Sequence, residues 1–451
     1  MDPTYVAREL AYGLNKVGCK GIVIDGTDSA LNTLKLAVPD LEKESRNSVP
    51  TLKYIIVTGL DQNPLAAIRD THLYNELIMQ NKQHLTEHEI CPVDPELLLS
   101  IFWTSGSTGQ PKAVTFTNFG VFNIIAMFVF YYGSYISRHC APLTMHHMSS
   151  GLLGCLLPSM NPCKIIIPAL TFDPEATMRA IHEEKCTCML PGAALLHFIL
   201  AHPNRYKYDL SSLQYVGVGG KSIQPDFLRM LKTELCIDRI GQEYGLTESG
   251  NFLTSTLYID HDDDRRYTSI GRCLPHIELK IVSNDGTTLP IGSEGEIWVR
   301  GYSITCGYYN DPEQTAEAIT NSGWFRTGDI GRMDEEGYLF FVGRKKEIII
   351  QGGLNTYPLE IEQVIYEHPS VAEVYVFGVP DPLMGEVIGA FVALKSGMTC
   401  EAEELKLFLS DKLHAYIMPK YIRFVDDFPR TPLGKVPRYK LVEDMVRALN
   451  N

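Results

Sequence analysis

The segment Thr104-Ser-Gly-Ser-Thr-Gly-Gln-Pro-Lys112 consists mainly of small residues and ends in a lysine. Its hydroxyls and backbone N–H groups can converge on an anion, because successive oriented backbone donors form an anion-binding concavity. It is not a Walker A loop, since Lys112 stands three residues past Gly109. Composition alone would also fit a flexible linker. A strand-like run at residues 98–103 and an apolar run at residues 119–132 flank the segment, so we predict a phosphate-binding loop between two buried elements.

This segment resembles the signature of the AMP-forming adenylating enzymes, which include acyl-CoA synthetases, luciferases and aryl-CoA ligases. Further motifs follow it in the order of that family. The resemblance implies that the loop holds the β- and γ-phosphates of ATP through Thr104, Ser105, Gly106, Ser107, Thr108, Gly109 and Lys112. It also implies four catalytic residues, which are Lys112, Thr247, Glu248 and Lys435.

The length of 451 residues is too great for one hydrophobic core and predicts two or three domains. An apolar content of 45% and a charged content of 21% are typical of a globular protein. A formal charge of −14 opposes binding to nucleic acid or to an anionic membrane. An anionic ligand would therefore need a local group of Lys, Arg and N–H donors.

The cysteines predict a reducing compartment. There are 11 of them without a CxxC pair, which favours free thiols over a disulfide framework or a zinc site. The longest apolar run, near residues 119–132, contains Asn123 and is too short to span a bilayer, so we expect no transmembrane segment. No secretory signal opens the sequence. Cytoplasm and mitochondrion both remain open as compartments.

The first part of the chain has an α/β pattern. Strand-like runs alternate with helical stretches up to about residue 260, which predicts a parallel sheet covered by helices on both faces. The clearest of these runs are residues 21–25, 54–57, 164–168 and 215–218. From about residue 268, alternating runs at 277–282 and 295–300 flank the turn-forming Asn284-Asp-Gly286 and predict a small antiparallel β-subdomain.

The last hundred or so residues have their own α+β pattern, which is typical of a separate domain. Helices are predicted at residues 359–368 and 401–413, and strands at 371–379 and 387–394. We therefore expect a large AMP-binding domain at residues 1–342, with its β-subdomain at about 268–342. A small, mobile C-terminal domain would follow at residues 343–451.

The motif Glu243-Tyr-Gly-Leu-Thr-Glu248 offers a hydroxyl and a carboxylate beside a tight turn. Oxygen ligands of this kind suit Mg²⁺, which usually shares them with phosphate oxygens. Taken alone, the motif would also fit a solvated turn. The resemblance implies that Glu248 binds Mg²⁺ and that Glu243, Tyr244, Gly245 and Thr247 contact AMP.

Two further motifs resemble nucleotide-binding positions of the family. Gly219, Gly220 and Lys221 match a strand end that contacts adenine, although a small residue is more usual at the position of Lys221. Asp329 and Arg344 match the residues that hold the ribose. A carboxylate suits this task because it can accept both ribose hydroxyls.

The C-terminal motifs imply a second half-reaction. Two prolines and a glycine stiffen the loop that presents Lys435, which in the family neutralises charge on the reacting phosphate. Gly352 and Gly353 match the face that meets CoA, with Gln351 where a basic residue is common, and Lys346 matches the hinge. His147 is the candidate for a gate on the acyl tunnel, one residue off the usual spacing.

The resemblance covers the whole chain and is closest to medium-chain fatty acid–CoA ligases. On typical domain sizes, we expect that about a hundred residues of the family's N-terminal lobe are absent. Three functions are carried forward. They are a fatty acid–CoA ligase using ATP, Mg²⁺ and CoA; an adenylating enzyme for another acid or for a carrier-protein thiol; and a non-catalytic fragment that binds nucleotide.

Overall fold

The computed structural model describes residues 5–43, 46–80, 92–104, 111–169, 173–220, 223–237, 239–257, 263–430 and 436–450. The chain divides into two compact units, each built from separate stretches of sequence. The first unit comprises Met1–Met189, Gly245–Phe252 and Gly301–Gly323. The second unit comprises Leu190–Tyr244, Leu253–Arg300 and Trp324–Asn451.

The strands of the described residues, numbered along the chain, are β1 (Gly21–Asp25), β2 (Tyr54–Thr58), β3 (Thr71–Leu73), β4 (Leu98–Thr104), β5 (Lys112–Thr117), β6 (Arg138–Cys140), β7 (Lys164–Ile166), β8 (Cys188–Met189), β9 (Tyr215–Gly219), β10 (Arg239–Tyr244), β11 (Thr254–Ser255), β12 (Arg272–Cys273), β13 (Ile277–Val282), β14 (Gly295–Gly301), β15 (Gly307–Tyr308), β16 (Phe325–Met333), β17 (Leu339–Arg344), β18 (Ile349–Gln351), β19 (Leu354–Thr356), β20 (Val371–Asp381), β21 (Gly385–Leu394) and β22 (Tyr421–Phe424).

The α-helices, numbered in the same way, are α1 (Ala7–Lys16), α2 (Asp28–Ala37), α3 (Tyr74–Gln80), α4 (Asn118–Tyr132), α5 (Met148–Met160), α6 (Pro174–Glu184), α7 (Ala193–Ala201), α8 (Pro225–Glu234), α9 (Arg265–Thr268), α10 (Pro312–Ala318), α11 (Pro358–Tyr366), α12 (Ala402–Ser410) and α13 (Arg438–Asn450). Short 3₁₀ turns lie at Gly133–Tyr135, Arg205–Lys207, Thr247–Ser249, Lys345–Glu347 and Ala415–Ile417. No helix in the described ranges is both long enough and apolar enough to cross a membrane.

The first unit contains parallel pairs and one antiparallel sheet. Strand β2 pairs in parallel with β1 and β3, and β6 pairs in parallel with β7 and β8. Helices α1 and α2 bury Leu14 and Leu34 in a core shared with Ile55 and Val57 of β2. This arrangement confirms the parallel α/β class that the alternation of strands and helices predicts.

The antiparallel sheet of the first unit has the order β15-β5-β4. Helix α4 follows β5 directly, and Thr117 caps it by accepting a hydrogen bond from the N–H of Gly120 at 3.1 Å. The expected strand and helix on either side of the phosphate loop are therefore present. The expectation that both are buried is wrong for β4, whose Leu98 and Leu99 are half exposed, because β4 lies at the edge of this sheet.

The second unit carries three sheets. Strands β9 and β10 are parallel, and β11 and β12 extend them in antiparallel fashion. An antiparallel sheet has the order β13-β14-β16-β17, which is the predicted β-subdomain. The predicted turn also forms, since Gly286 has a φ of +86° and its N–H donates to Ser283. The returning chain pairs with β13 at Val282 and Thr288 before β14 begins.

The C-terminal sheet has the order β19-β18-β21-β20, with β22 parallel to β21. Its faces bury two separate hydrophobic clusters. Val374 and Val376 of β20 face one cluster with α11 and α12, whereas Phe377 and Val379 face the other with α13. Each helix and strand predicted from the C-terminal sequence is found within a few residues of its expected bounds.

Candidate active site

Strands β4 and β5 form a hairpin whose connection is the small-residue loop. Thr104 ends β4 and pairs directly with Lys112, which begins β5. The structure therefore holds the two ends of the predicted phosphate loop side by side. The other predicted loop residues, which are Ser105, Gly106, Ser107, Thr108 and Gly109, lie outside the described residues.

Lys112, Tyr308 and Glu248 form a cluster in the first unit. The Nζ of Lys112 lies 4.6 Å from the centre of the Tyr308 ring, within the range of a cation–π interaction. The hydroxyl of Tyr308 donates a hydrogen bond to Oε1 of Glu248 at 3.1 Å. Burial, and secondly the charge of Glu248, raises the pKa of Tyr308 above its usual range. The tyrosine is therefore a neutral hydrogen-bond donor between a cation and a carboxylate.

Strand pairing explains how Tyr308 reaches both partners. In the β15–β5 pair, Tyr308 lies opposite Val114, two residues from Lys112. Side chains two residues apart on a strand share a face, so Lys112 is a diagonal neighbour within reach of the tyrosine ring. The N–H of Thr305 donates to the backbone oxygen of Glu248 at 2.8 Å and fixes the other side of the cluster.

Thr247 and Glu248 lie in the 3₁₀ turn Thr247–Ser249, and both are partly buried. The buried Ser249 closes this turn by accepting a hydrogen bond from the N–H of Leu246 at 2.9 Å. Gly245 is needed before the turn, since a Cβ there would lie 2.2 Å from the backbone oxygen of Asn251. The glycine in this motif thus allows the close backbone approach that presents the hydroxyl and the carboxylate.

Tyr244, Asp329 and Arg344 form a second cluster, in the second unit. The hydroxyl of Tyr244 donates to Oδ2 of Asp329 at 2.9 Å, and Nε of Arg344 lies 3.3 Å from Oδ1. Asp329 and Arg344 are direct cross-strand partners in the β16–β17 pair. The carboxylate is 2% exposed, whereas the arginine side chain is 51% exposed. The structure thus brings Asp329 and Arg344, both of which the family motif assigns to the ribose, into contact.

Backbone contacts hold Asp329 in place. Its N–H donates to Oγ1 of Thr327 at 3.0 Å, and that hydroxyl donates to the backbone oxygen of Ile297 at 2.7 Å. Burial, followed by the charge of Asp329, raises the pKa of Tyr244 well above its usual range. Tyr244 therefore keeps its proton and orients the buried carboxylate.

Gly219 and Glu243 lie side by side at the ends of the parallel strands β9 and β10. A Cβ at Gly219 would lie 2.8 Å from the backbone oxygen of Glu243, so a side chain is excluded there. The Glu243 carboxylate accepts hydrogen bonds from the hydroxyls of Tyr215 and Ser255. Gly220 has a φ of +89° and open space around it, and the adjacent Lys221 lies outside the described residues.

Gly352 and Gly353 form the two-residue turn of the β18–β19 hairpin, in which Gln351 pairs with Leu354. Their φ angles of +56° and +84° are those of a type I′ turn, which favours glycine at both positions. Gln351 donates from Nε2 to the backbone oxygen of Tyr416 at 2.8 Å. The glycine pair thus has a structural reason that is independent of any ligand, and Gln351 supports the turn.

The remaining candidates lie at helix ends or outside the described residues. His147 precedes α5, and its Nδ1 lies 2.8 Å from Oγ of Ser149. Lys346 lies in the 3₁₀ turn Lys345–Glu347 that follows Arg344. Lys435 lies outside the described residues. Arg438, three residues later, pairs with the buried Glu362 at 3.0 Å and with Glu347 at 3.2 Å.

His368, Cys400 and Glu404 form a further polar group, whose potential ligand atoms lie within 4.8 Å of one another. Nδ1 of His368 accepts the N–H of Ser370 at 3.3 Å, and Glu404 accepts the N–H of Glu401 at 3.4 Å. Burial, and secondly Glu404, raises the pKa of the Cys400 thiol. A metal on Nε2 would need a proton on Nδ1, whereas Nδ1 accepts a hydrogen bond here, so the contacts of His368 favour a hydrogen-bonded group.

Sequence reasoning missed Tyr308 and the supporting role of Tyr244. Tyr308 lies sixty residues after Glu248 in the sequence, in Thr305-Cys-Gly-Tyr-Tyr309. The only sequence signal near Tyr308 was the preceding Gly307. In the structure, the φ of +123° at Gly307 and its close approach to Thr315 show that the backbone is constrained there. A single sequence gives no means of pairing that position with β5.

Comparison with family models identifies the chain. Residues 1–309 match the model of the AMP-binding enzyme family, and residues 360–435 match the C-terminal domain of AMP-binding enzymes. The first match spans more than half of the chain.

Two curated relatives are each 32% identical. The zebrafish protein named medium-chain acyl-CoA ligase ACSF2, mitochondrial, aligns over 98% of this chain and 74% of its own length. The Bacillus subtilis protein named putative acyl-CoA synthetase YngI aligns over 100% of this chain and 83% of its own length.

Solved structures share the fold. ATP-bound MatB from Rhodopseudomonas palustris is 25% identical with a TM-score of 0.83, over 98% of this chain and 82% of MatB. The amide bond synthetase McbA from Marinactinospora thermotolerans is 26% identical with a TM-score of 0.76, over 97% and 93% of the two chains. The chain therefore belongs to the AMP-binding enzyme family and, within it, to the AMP-forming acyl-CoA synthetases.

Proposed function

We propose that this enzyme activates a medium-chain carboxylic acid with ATP and transfers the acyl group to CoA. The name of the zebrafish relative supports the chain length, and the ordered set of motifs supports the two-step chemistry. The proposed compartment is the cytoplasm or the mitochondrion. The ligands of the enzyme would be small molecules. We propose no nucleic acid partner, because the formal charge of −14 opposes binding to nucleic acid.

The reaction has two displacement steps. A carboxylate oxygen of the acid attacks the α-phosphorus of ATP, and the bond from that phosphorus to the bridging oxygen breaks and releases pyrophosphate. The sulfur of CoA then attacks the acyl carbonyl carbon, AMP departs with the electron pair of the broken bond, and the thiol proton passes to solvent. The protein's task is to place these groups and offset their charge.

One set of proposed ligand residues serves the phosphates. Thr104, Lys112 and the loop between them would bind the β- and γ-phosphates. Glu248 would bind Mg²⁺, and Thr247 beside it would contact AMP. The oxygen donors fit this ion, because Tyr308 engages Oε1 of Glu248 and a carboxylate has a second oxygen to offer. When bound, Mg²⁺ would neutralise negative charge on the phosphates.

Another set of proposed ligand residues serves the nucleoside. Asp329 would accept the ribose hydroxyls, with Tyr244 and Arg344 fixing the direction of its two oxygens. Gly219 and Gly220 would border the adenine, since the backbone there carries no side chain that could obstruct a flat ring. Lys221, Glu243 and Gly245 complete the proposed AMP contacts.

Different C-terminal residues would serve the two steps of the reaction. We assign Lys435 to charge neutralisation during adenylation, and Gly352 and Gly353 to the contact with CoA. Residues 1–342 would form a large domain, and residues 343–451 would form a small domain that rotates about Lys346 between the two steps. His147 would border the path of the acyl chain.

One observation carries this proposal most strongly. A buried aspartate holds a tyrosine hydroxyl and an arginine on its two oxygens, at the position that the family motif assigns to the ribose. A surface Asp–Arg pair would be exposed on both sides and would contribute under about 1 kcal/mol. Asp329 is 2% exposed, so the pair is not an ordinary surface contact, which supports a specific role for this carboxylate.

The test is acid-dependent exchange of labelled pyrophosphate into ATP, across straight-chain acids from acetate to palmitate. The proposal expects exchange that peaks at intermediate chain lengths. Equal exchange at all lengths, or a maximum with aryl acids, would contradict the substrate assignment. A folded sample that binds ATP without any exchange would contradict the enzymatic assignment and support a non-catalytic role.

Lys435→Ala separates the two half-reactions. The exchange rate should fall by about 10²–10³-fold, the range for loss of one preorganised donor. The rate of CoA attack on supplied acyl-adenylate should stay near that of the unaltered enzyme. Equal losses in both assays would contradict the role of Lys435.

A second candidate differs in the acceptor. McbA is named an amide bond synthetase, and its chain is matched over 93% of its length. An amine or a carrier-protein thiol could therefore replace CoA after the same adenylation. AMP release that needs CoA supports the ligase, whereas AMP release with amines alone supports the alternative.

A further inference from the structure

We propose that Tyr308 is a positioning residue for adenylation, which sets the places of Lys112 and Glu248 with one side chain. This inference rests on the proposed roles of those two residues in binding phosphate and Mg²⁺. Tyr308 itself would touch neither group. It would act by holding a cation on its ring and a carboxylate on its hydroxyl.

The two contacts of Tyr308 use different parts of the side chain. The ring face attracts the ammonium of Lys112 through its negative quadrupole, at a centroid distance of 4.6 Å. The hydroxyl donates to Oε1 of Glu248 at 3.1 Å. Lys112 and Glu248 carry opposite charges and have long, flexible side chains. A rigid ring between them limits the positions that each can adopt.

The backbone around Tyr308 is itself fixed. The N–H of Tyr308 donates to Oγ1 of Thr315 at 2.9 Å, and Gly307 pairs with Thr115 of β5. A Cβ at Gly307 would lie 2.5 Å from Cγ2 of Thr315, and its φ of +123° favours glycine. The tyrosine is 8% exposed. The backbone that carries the ring is therefore held in place, and the side chain is buried.

The hydroxyl of Tyr308 acts directly on the Glu248 carboxylate, to which it donates at 3.1 Å. The hydrogen bond fixes Oε1 and directs the remaining lone pairs of the carboxylate. A hydrogen bond to a charged group is stronger than one between neutral groups, so this contact favours one rotamer of Glu248.

The test compares Tyr308→Phe with Tyr309→Phe by calorimetric titration of ATP with and without Mg²⁺. Phenylalanine at 308 keeps the ring under Lys112 and removes the hydroxyl alone. We expect ATP affinity in Mg²⁺ to fall about tenfold in Y308F, the equivalent of 1.4 kcal/mol. ATP affinity without Mg²⁺ and AMP affinity should stay unchanged. Y309F, on the neighbouring residue, should match the unaltered enzyme in every titration.

The kinetics of the variant should also show a defect that depends on Mg²⁺. Pyrophosphate exchange by Y308F should need more Mg²⁺ for its half-maximal rate, while CoA attack on supplied acyl-adenylate is spared. Identical titrations for Y308F and Y309F would overturn the inference. So would an equal loss of affinity for ATP and AMP, since that would indicate general disruption of the fold.

A double-substitution cycle gives an independent check. If Tyr308 acts through Glu248, adding Y308F to Glu248→Gln should change Mg²⁺ dependence very little, whereas additive effects would overturn the proposal. The unaltered enzyme also separates two kinds of failure. Absence of exchange there contradicts the proposed function, whereas normal exchange with an unaffected Y308F contradicts this inference alone.

Discussion

The two polar clusters contain the same three kinds of group in a different order. In one, Tyr308 lies between the cation Lys112 and the carboxylate of Glu248. In the other, the carboxylate of Asp329 lies between a tyrosine hydroxyl and a guanidinium. Asp329 is almost fully buried, whereas Glu248 is partly exposed.

This difference teaches what each carboxylate is suited to bind. Asp329 has a protein donor on each oxygen, so its orientation is set before a ligand arrives, as recognition of neutral hydroxyls requires. Glu248 has one oxygen held by Tyr308 and is accessible, as ligation of a cation that arrives with a nucleotide requires. The same chemistry is thus arranged for a fixed acceptor in one place and for an ion ligand in the other.

The largest expected effect comes from the buried carboxylate. Asp329→Ala removes the ribose acceptor and leaves Tyr244 and Arg344 without their shared partner. Loss of one partner of a buried, hydrogen-bonded charge costs about 2–4 kcal/mol, so the exchange rate at low ATP should fall about 30- to 1000-fold. Asp329→Asn, which keeps the shape, should lose less. A loss below about threefold in both variants would place Asp329 outside the nucleotide site.

A smaller, ion-specific effect is expected at the accessible carboxylate. Glu248→Gln should raise the Mg²⁺ concentration for half-maximal exchange at least tenfold, since even outer partners of a metal site are worth about 10–100-fold in affinity. Titration of exchange with Mg²⁺ at saturating ATP measures this shift. Glu243→Gln is the matched control. The Glu243 carboxylate accepts hydrogen bonds from Tyr215 and Ser255, so this substitution should leave the Mg²⁺ dependence unchanged. An equal shift in both variants would contradict a specific role of Glu248 in binding Mg²⁺.

The smallest effect concerns the two tyrosines at alkaline pH. Burial raises the pKa of both above the usual value of about 10, so the folded enzyme keeps protons that the unfolded chain loses there. Their contribution to stability is present below about pH 10 and falls as the pH rises further. The free energy of unfolding should therefore decline less steeply above pH 10 in Tyr244→Phe and in Tyr308→Phe. Ultraviolet titration that places either phenol at or below pH 10 would contradict this.

Most of the fold could be predicted because hydrophobic periodicity is a local signal. Strand β1 begins and ends as its apolar run predicts, and the nearly continuous apolar runs of β20 and β21 correspond to strands that are buried on both faces of the C-terminal sheet. The exposure of β4 could not be predicted. Its run of apolar residues reads as buried, yet its position at a sheet edge depends on long-range pairing.

The site could be predicted in part for the same reason. Motif residues such as Asp329 and Arg344 are recognisable from the sequence, and the β16–β17 pair brings them together. The tyrosine partners were missed because each contact joins distant segments. Tyr244 meets Asp329 across 85 positions, and Tyr308 meets Glu248 across 60. Local sequence patterns indicate which residues are candidates for ligand binding. The residues that hydrogen-bond to these candidates come from distant segments and are brought to them by the fold.

The central claim is that Glu248 serves the Mg²⁺ of the phosphates and that Asp329 serves the nucleoside. The most direct measurement is calorimetric titration of Asp329→Asn and Glu248→Gln with ATP and with AMP, both in Mg²⁺. The account predicts that Asp329→Asn weakens both ligands by the same factor, whereas Glu248→Gln weakens ATP and leaves AMP unchanged. Equal losses for both ligands in both variants, or normal binding of ATP by both, would contradict it.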